Sequence, residues 1–233
     1  MQLTIVQGTT EPYPRADISI VIDVIRAFTV SHIAFLRGAQ EIFLVNTVEE
    51  AFALKAQHKG HLLAGEVAAL PIAGFDLDNS PYTFCTADLR NKSLVQKTTN
   101  GVKATLLALS APVVLVTGLS NARKTALYVK KLAGGIENCR INIIASHPKD
   151  DDDLACAQFI KDQLSGRHCV SLEGVQHRIK TARSAKKFFD PAQPEFNEKD
   201  IAFCLREVDC NFVMQVDSCA RPPRIVKQTV DAA

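Results

Sequence analysis

A chain of 233 residues, 47% hydrophobic and 22% charged, has enough apolar side chains for a globular core, which excludes wholesale disorder. Its net charge of +2 comes from intermixed acids and bases, not the clustered Lys/Arg footprint of a nucleic-acid binder. The longest near-continuous apolar run, residues 18–25, contains Ser19 and Asp23 and is far too short to cross a bilayer.

Residues 18–25 are β-branched and almost wholly apolar, the pattern of a parallel strand buried on both faces. Residues 27–37 read as a helix closed by Gly38, and residues 41–46 as a second strand. Thr47 then N-caps a helix that runs to about Gly60, with Glu50 placed for a capping box. Residues 61–64 form a third strand. Residues 66–81 contain Pro71, Gly74 and Pro81 without periodicity, so a long ordered loop is expected there. Strands follow at 93–98, 113–117 and 141–145, with helices at 102–109, about 121–132, and from Asp150 to about 164. After residue 165 come basic helices, a Pro-rich link near 190–194, and strands at 211–216 and 225–227. The basic run 178–187 reads as a solvated helix face. The final residues are expected to fray.

The strand–helix alternation predicts an α/β fold of three layers, α/β/α, around a mostly parallel doubly wound sheet. A smaller C-terminal α/β extension follows. One domain is expected over 1–233, with room for two lobes, about 1–165 and 166–233. Seven cysteines without a C-x-x-C pair fit free thiols in a reducing compartment, and the first residues lack a signal-peptide pattern, so a cytoplasmic protein is expected. A C2 homodimer is the default assembly.

In open α/β sheets, ligands bind beyond the carboxyl ends of the strands. There the chain places Asp23 and Arg26, then Glu66, then Thr98-Thr99-Asn100-Gly101, then the run ending in Asn121, then Ser146 and Asp150 to Asp153. A carboxylate in an apolar strand needs a cation or hydrogen bonds, and Arg26, three residues on, is the nearest partner for Asp23. The Thr-Thr-Asn-Gly turn precedes a helix N-terminus, which favours an anion or simply caps the helix. Four successive aspartates complement a helix dipole, or share a divalent cation such as Mg²⁺. No P-loop is present. Asp23-Val24-Ile25 lacks the second Asp of aspartyl-phosphate phosphatases, and the Cys219 to Arg224 spacing is one short of that in cysteine phosphatases. His58 and His61 read as part of a surface turn.

Together these segments resemble the 2-phosphosulfolactate phosphatase family. Asp23-Val24-Ile25-Arg26-Ala27 is similar to its D-V-L-R-A opening, and Thr98-Thr99-Asn100-Gly101 matches its T-T-N-G turn. Residues 63–81 resemble its long G-E-x-x-G-L-P-I-x-G-F-D-L-G-N-S-P loop, and Asp152-Asp153 falls at its Glu-Asp. The resemblance spans nearly the whole chain in the right order. It implies a Mg²⁺-dependent hydrolase that converts 2-phosphosulfolactate to sulfolactate and phosphate, a step of coenzyme M synthesis.

On that basis Asp23, Arg26 and Glu66 are the candidate catalytic residues. Arg26, Thr98, Thr99, Asn100, Gly101 and Asn121 are candidates for the phosphoryl group. Asp23, Glu66, Asp76, Asp152 and Asp153 are candidates for the metal, and the carboxylate that acts as base is left open. The chain departs from the family pattern at Phe28 and Val30, which replace threonines, at Val67-Ala68-Ala69, which replaces Arg-Gly-Gly, at Asp78, which replaces Gly, and at Val102, which replaces Thr. These changes keep two alternatives in view: a phosphatase for another phosphorylated hydroxy acid, and a non-catalytic anion-binding protein.

Overall fold

The computed structural model describes residues 1–9 and 12–230; the fraying expected at the last residues concerns positions mostly outside that range. In chain order the elements are β1 (Gln2–Gln7), β2 (Ile18–Ile22), α1 (Ala27–Leu36), β3 (Glu41–Leu44), α2 (Val48–Gln57), β4 (Leu62–Val67), β5 (Leu70–Pro71), α3 (Pro81–Thr86), β6 (Ser93–Lys97) and α4 (Gly101–Leu107). They continue with β7 (Val113–Thr117), α5 (Ala122–Ala133), β8 (Arg140–Ala145), α6 (Asp151–Ser165), α7 (Leu172–Thr181), α8 (Arg183–Lys186), α9 (Glu198–Cys204), β9 (Phe212–Asp217) and β10 (Arg224–Thr229).

All the strands join one sheet in the order β1-β8-β2-β7-β9-β10-β3-β6-β4-β5. β1, β8, β2 and β7 form one parallel group, and β3, β6 and β4 another. The antiparallel hairpin β9–β10 lies between them, pairing with β7 on one side and β3 on the other. The C-terminal strands, expected in a smaller extension, therefore bridge the two groups. Three successive antiparallel junctions make the groups run in opposite senses along the sheet. Their carboxyl ends can still approach, because the sheet twists by about 20–25° per strand and five steps separate β2 from β6.

Apolar side chains alternate between the faces of the sheet. Val21, Val116 and Ile144 point into one cluster with α1 and α4, which also receives Ile42 and Leu44 of β3, Leu94 of β6 and Met214 of β9. Ile20, Ile22, Leu115 and Ile143 point to the opposite side, against α5, α6 and α7. α1 is buried from Ala27 through Phe35, so it is a core helix without a solvated stripe. Its polar groups are satisfied internally: Ser31 bonds Gln96 at 2.9 Å and His32 Nδ1 meets Ser120 Oγ at 2.8 Å. The capping box forms as expected, with Thr47 accepting from the Glu50 amide at 3.1 Å.

Several boundaries differ from expectation. β2 stops at Ile22, so Asp23 lies just past the strand instead of within it. β1, β5, α3 and α9 complete the element set, β5 and α3 within the stretch expected to be a loop. α3 grows from the long loop because Ser80 N-caps it and Pro81 occupies its first turn.

Candidate active site

Loops from both parallel groups enclose a cavity of about 440 Å³. Asp23, at the end of β2, lines it and accepts the Ala27 amide at 2.9 Å, capping the start of α1. The other edge of its carboxylate faces the start of α4: a Cβ on Gly101 would fall 2.6 Å from Asp23 Oδ2. The Thr-Thr-Asn-Gly turn needs its glycine for that close approach.

Glu66, at the end of β4, joins two loops. It accepts the Ala69 and Thr99 amides and, at 2.9 Å, the Thr99 hydroxyl. The Ala68 amide donates to Thr99 Oγ1 at 2.9 Å. Ala68 and Ala69, with φ of 51° and 69°, occupy the left-handed region where glycine is favoured. Both line the cavity, as do Thr99 and Asn100. Thr98 is turned to structure, its hydroxyl accepting the Val102 amide at 3.1 Å.

Arg26 also lines the cavity, but Asp23 is not its ion-pair partner. It donates to Asp200 at 2.9 Å and to the Ala69 carbonyl at 3.1 Å, with the Phe188 ring 5.0 Å from its guanidinium carbon. Asp200 is fully buried and also accepts from the Ser80 hydroxyl and, at 3.1 Å, the Tyr82 amide. A residue 174 positions away in sequence thus fixes the arginine, a link that no local spacing signals.

The four aspartates point in four directions, as the 100° step of a helix demands. Asp150 caps α6 and also accepts the Arg183 and Ser184 amides. Burial pushes its carboxyl up, but these amides together win and hold it below the ordinary carboxylate range. Asp151 faces outward and pairs with Arg178. Asp153 ties the β2–α1 and β8–α6 loops together, accepting from the Val24 amide at 2.7 Å, the Ser146 hydroxyl at 2.9 Å and the His147 amide at 3.0 Å. Asp152, 2% exposed, keeps Oδ1 without a partner.

Burial, joined by the charge of Glu66, raises Asp23 to about 6. Burial raises Asp152 to about 7, with Asp150 and Asp23 adding to it. Asp153 is pushed well up by burial and by Asp152 and Asp23. Neighbouring acids that resist ionising together form an environment a cation would relieve.

Sequence reasoning missed the opposite wall. Arg183, Ser184 and Lys187 come from the basic run that reads as a solvated face, and they line the cavity. The two Asp150 hydrogen bonds, across 33 and 34 residues, place that segment here. His147 and Asn79 complete the wall, and buried Asn79 Oδ1 has no partner. Burial lowers the His147 pKa, with Arg183 and Lys187 also opposing its charge.

Of the expected residues, Thr98, Gly101, Asp152 and Asp153 adjoin this site without lining the cavity, and two more lie elsewhere. Asp76 pairs with Lys55 and accepts the Leu63 amide at 2.7 Å, at the start of β4 rather than its end. Asn121 accepts the Thr117 hydroxyl at 2.8 Å and lines a separate cavity beside Val208. The departures at Phe28, Val30 and Val102 fall in the apolar core, Val67 is exposed, and Asp78 accepts the Ser80 amide at 2.9 Å in a local turn.

Among the described residues, no helix is long and apolar enough to cross a membrane. Family comparison matches residues 4–218 to 2-phosphosulpholactate phosphatase. The chain is 50% identical over 225 residues to a probable 2-phosphosulfolactate phosphatase of Bacillus subtilis, covering 97% of this chain and 98% of that protein. It is similar, at 30% identity over 208 residues, to one of Clostridium perfringens, covering 82% of each. A third, from Carboxydothermus hydrogenoformans, is 28% identical over 205 residues, covering 87% of this chain and 81% of that protein.

Proposed function

The chain belongs to the 2-phosphosulpholactate phosphatase family, and from that premise we propose that it is a phosphoric monoester hydrolase cleaving 2-phosphosulfolactate to sulfolactate and phosphate with the help of Mg²⁺. The observation that carries this reading is the meeting of Asp23, Arg26, Glu66, Thr99 and Asn100 on one cavity, although they come from oppositely running strand groups.

The donor chemistry suits a hard cation. The donors beside Asp23 are oxygens, and Asp152 Oδ1 is buried without a partner. Among the described residues, no three acidic, imidazole or thiol groups form a ready-made cage. Mg²⁺ is compatible with that arrangement, since it takes one or two carboxylates and completes its shell with water and phosphate oxygens. Asp23 and Asp152 are the residues that would hold it. When bound, it would neutralise phosphoryl charge and acidify a coordinated water.

Arg26 contributes a guanidinium fixed in advance. Two of its N–H groups are occupied by Asp200 and Ala69, and those remaining from its five donors serve the phosphoryl oxygens. The Asn100 side chain makes no cap bond to α4 and is available as a further donor. Both oxygens of Glu66 accept short hydrogen bonds from neighbouring loops, which makes it the brace, whereas Asp23 Oδ2 takes a long 3.4 Å bond from the Ser146 hydroxyl, which favours Asp23 as the carboxylate that orients water. Water attacks phosphorus, the ester oxygen leaves with the bonding pair, and the proton lost by water ends on the departing alkoxide.

Phosphate release from 2-phosphosulfolactate tests the reading. Release with Mg²⁺ that stops on chelation and returns on readdition is expected. Preferential release from another phosphorylated hydroxy acid would move the substrate assignment, and no release from any ester would leave an anion-binding protein.

A further inference from the structure

The proposed chemistry uses the Asp23, Arg26 and Thr99 side of the cavity and leaves the Arg183–Lys187 wall without a role. Neither Arg183 nor Lys187 forms an ion pair among the described residues, whereas Arg26, Arg123, Arg178 and Arg224 all do. Asp150 is close to both but its oxygens accept backbone amides, including those of Arg183 and Ser184. The Lys187 ammonium is half-buried and held 4.5 Å from the Phe196 ring centroid and 5.7 Å from that of Phe188. Burial lowers its pKa and the nearby charge of Arg26 lowers it further, against the opposite pull of Glu66, Asp152 and Asp150. None of those acids forms an ion pair with it among the described residues, so the ammonium stays open to a bound anion from the cavity. Arg183 is the more exposed of the pair, but its backbone is tied to Asp150 at 3.0 Å, which fixes the start of its segment at the cavity. A cavity of about 440 Å³ has room for more than a phosphoryl group.

We propose that Lys187 and Arg183 form a second oxyanion subsite, which holds the acid group on the substrate's carbon skeleton while Arg26 and Asn100 hold the phosphoryl group. This rests on the phosphatase reading above and deepens it by naming the residues that set specificity for the acid-bearing end of the ester. The ligand chemistry is a carboxylate or sulfonate oxyanion.

The test compares kcat/KM for three esters: 2-phosphosulfolactate, 2-phospholactate with a carboxylate alone, and isopropyl phosphate with neither. Lys187→Met keeps the apolar stem and removes the charge. The preference for acid-bearing over neutral ester is expected to fall roughly ten- to hundredfold, mostly through KM, the range of a lost charged hydrogen bond. Lys187→Arg is expected to recover most of it. The ester whose preference falls more identifies the acid group held. Equal loss on all three esters, or no loss, overturns the proposal.

Calorimetry with sulfolactate, which carries no phosphate, separates the subsite from catalysis. Weakening by tenfold or more in Lys187→Met supports the subsite even if wild type releases no phosphate, a result that would defeat the phosphatase reading alone. Equal affinity in wild type and Lys187→Met overturns the subsite while leaving phosphatase activity untouched.

Discussion

Asp152 and Asp23 hold protons in the folded chain that the unfolded chain has already released. Burial and neighbouring acids place them at about 7 and about 6, against the ordinary carboxyl value of 3.8. Between about pH 4 and 7 the folded state therefore binds more protons, and the metal-free protein loses stability as pH rises through that window. On the proposed function, Mg²⁺ would take the place of those protons. The expected result is a melting-temperature rise on adding Mg²⁺ that is larger at pH 8 than at pH 5. Asp152→Asn should raise the metal-free melting temperature at pH 8 and remove most of the Mg²⁺ response. An equal response at both pH values in wild type would contradict the assignment of these acids. His32 works in the opposite sense: burial lowers it to about 4, so the stability of the neutral ring is lost as pH falls from about 6.5 through 4.

The β4–β5 hairpin turns on Ala68 and Ala69, both in the left-handed region. Alanine there costs about 1–2 kcal/mol relative to glycine, and glycine returns about 0.4–1 kcal/mol of that through the entropy of the unfolded chain. Ala69→Gly is therefore expected to stabilise the protein by roughly 0.5 kcal/mol in denaturant melts; clear destabilisation would show that the methyl group packs usefully. Elements of this kind also mark what was legible in advance. Long apolar strands such as β2 and β7 and the Thr47 capping box carry their own signals, and the structure contains them. α3 and α9 have six and seven residues, too short for apolar periodicity, and form around the caps Ser80 and Asn197 and the buried Asp200. The strand-end rule found Asp23, Arg26, Glu66, Thr99 and Asn100. It could not find Arg183 and Lys187, whose place is set by distant bonds to Asp150, and it could not turn Asp76 or Asn121 away from the cavity, because adjacency to a strand does not give direction.

Across the whole molecule, the hairpin β9–β10 is the seam between two parallel groups that, among the described residues, do not pair with each other directly. It also supplies Phe212, Met214, Val216 and Ile225 to the shared core. This order was hidden in the sequence, since β10 meets β3 across some 180 residues, with Arg224 registered on Phe43. A chain ending at residue 211 is expected to lose cooperative melting by calorimetry, because truncation exposes both groups' inner edges and opens the core. A cooperative transition in that truncated chain would show instead that the rest of the chain folds without the hairpin. The same seam aligns the two sets of loops, so site and fold depend on one junction.

Phosphate release by Asp23→Asn, measured beside wild type with Mg²⁺ and 2-phosphosulfolactate, tests the central claim most directly. The account predicts a fall of at least about a hundredfold with the cooperative melt retained, as expected for loss of the carboxylate that orients water. Turnover at the wild-type rate in that variant would contradict it.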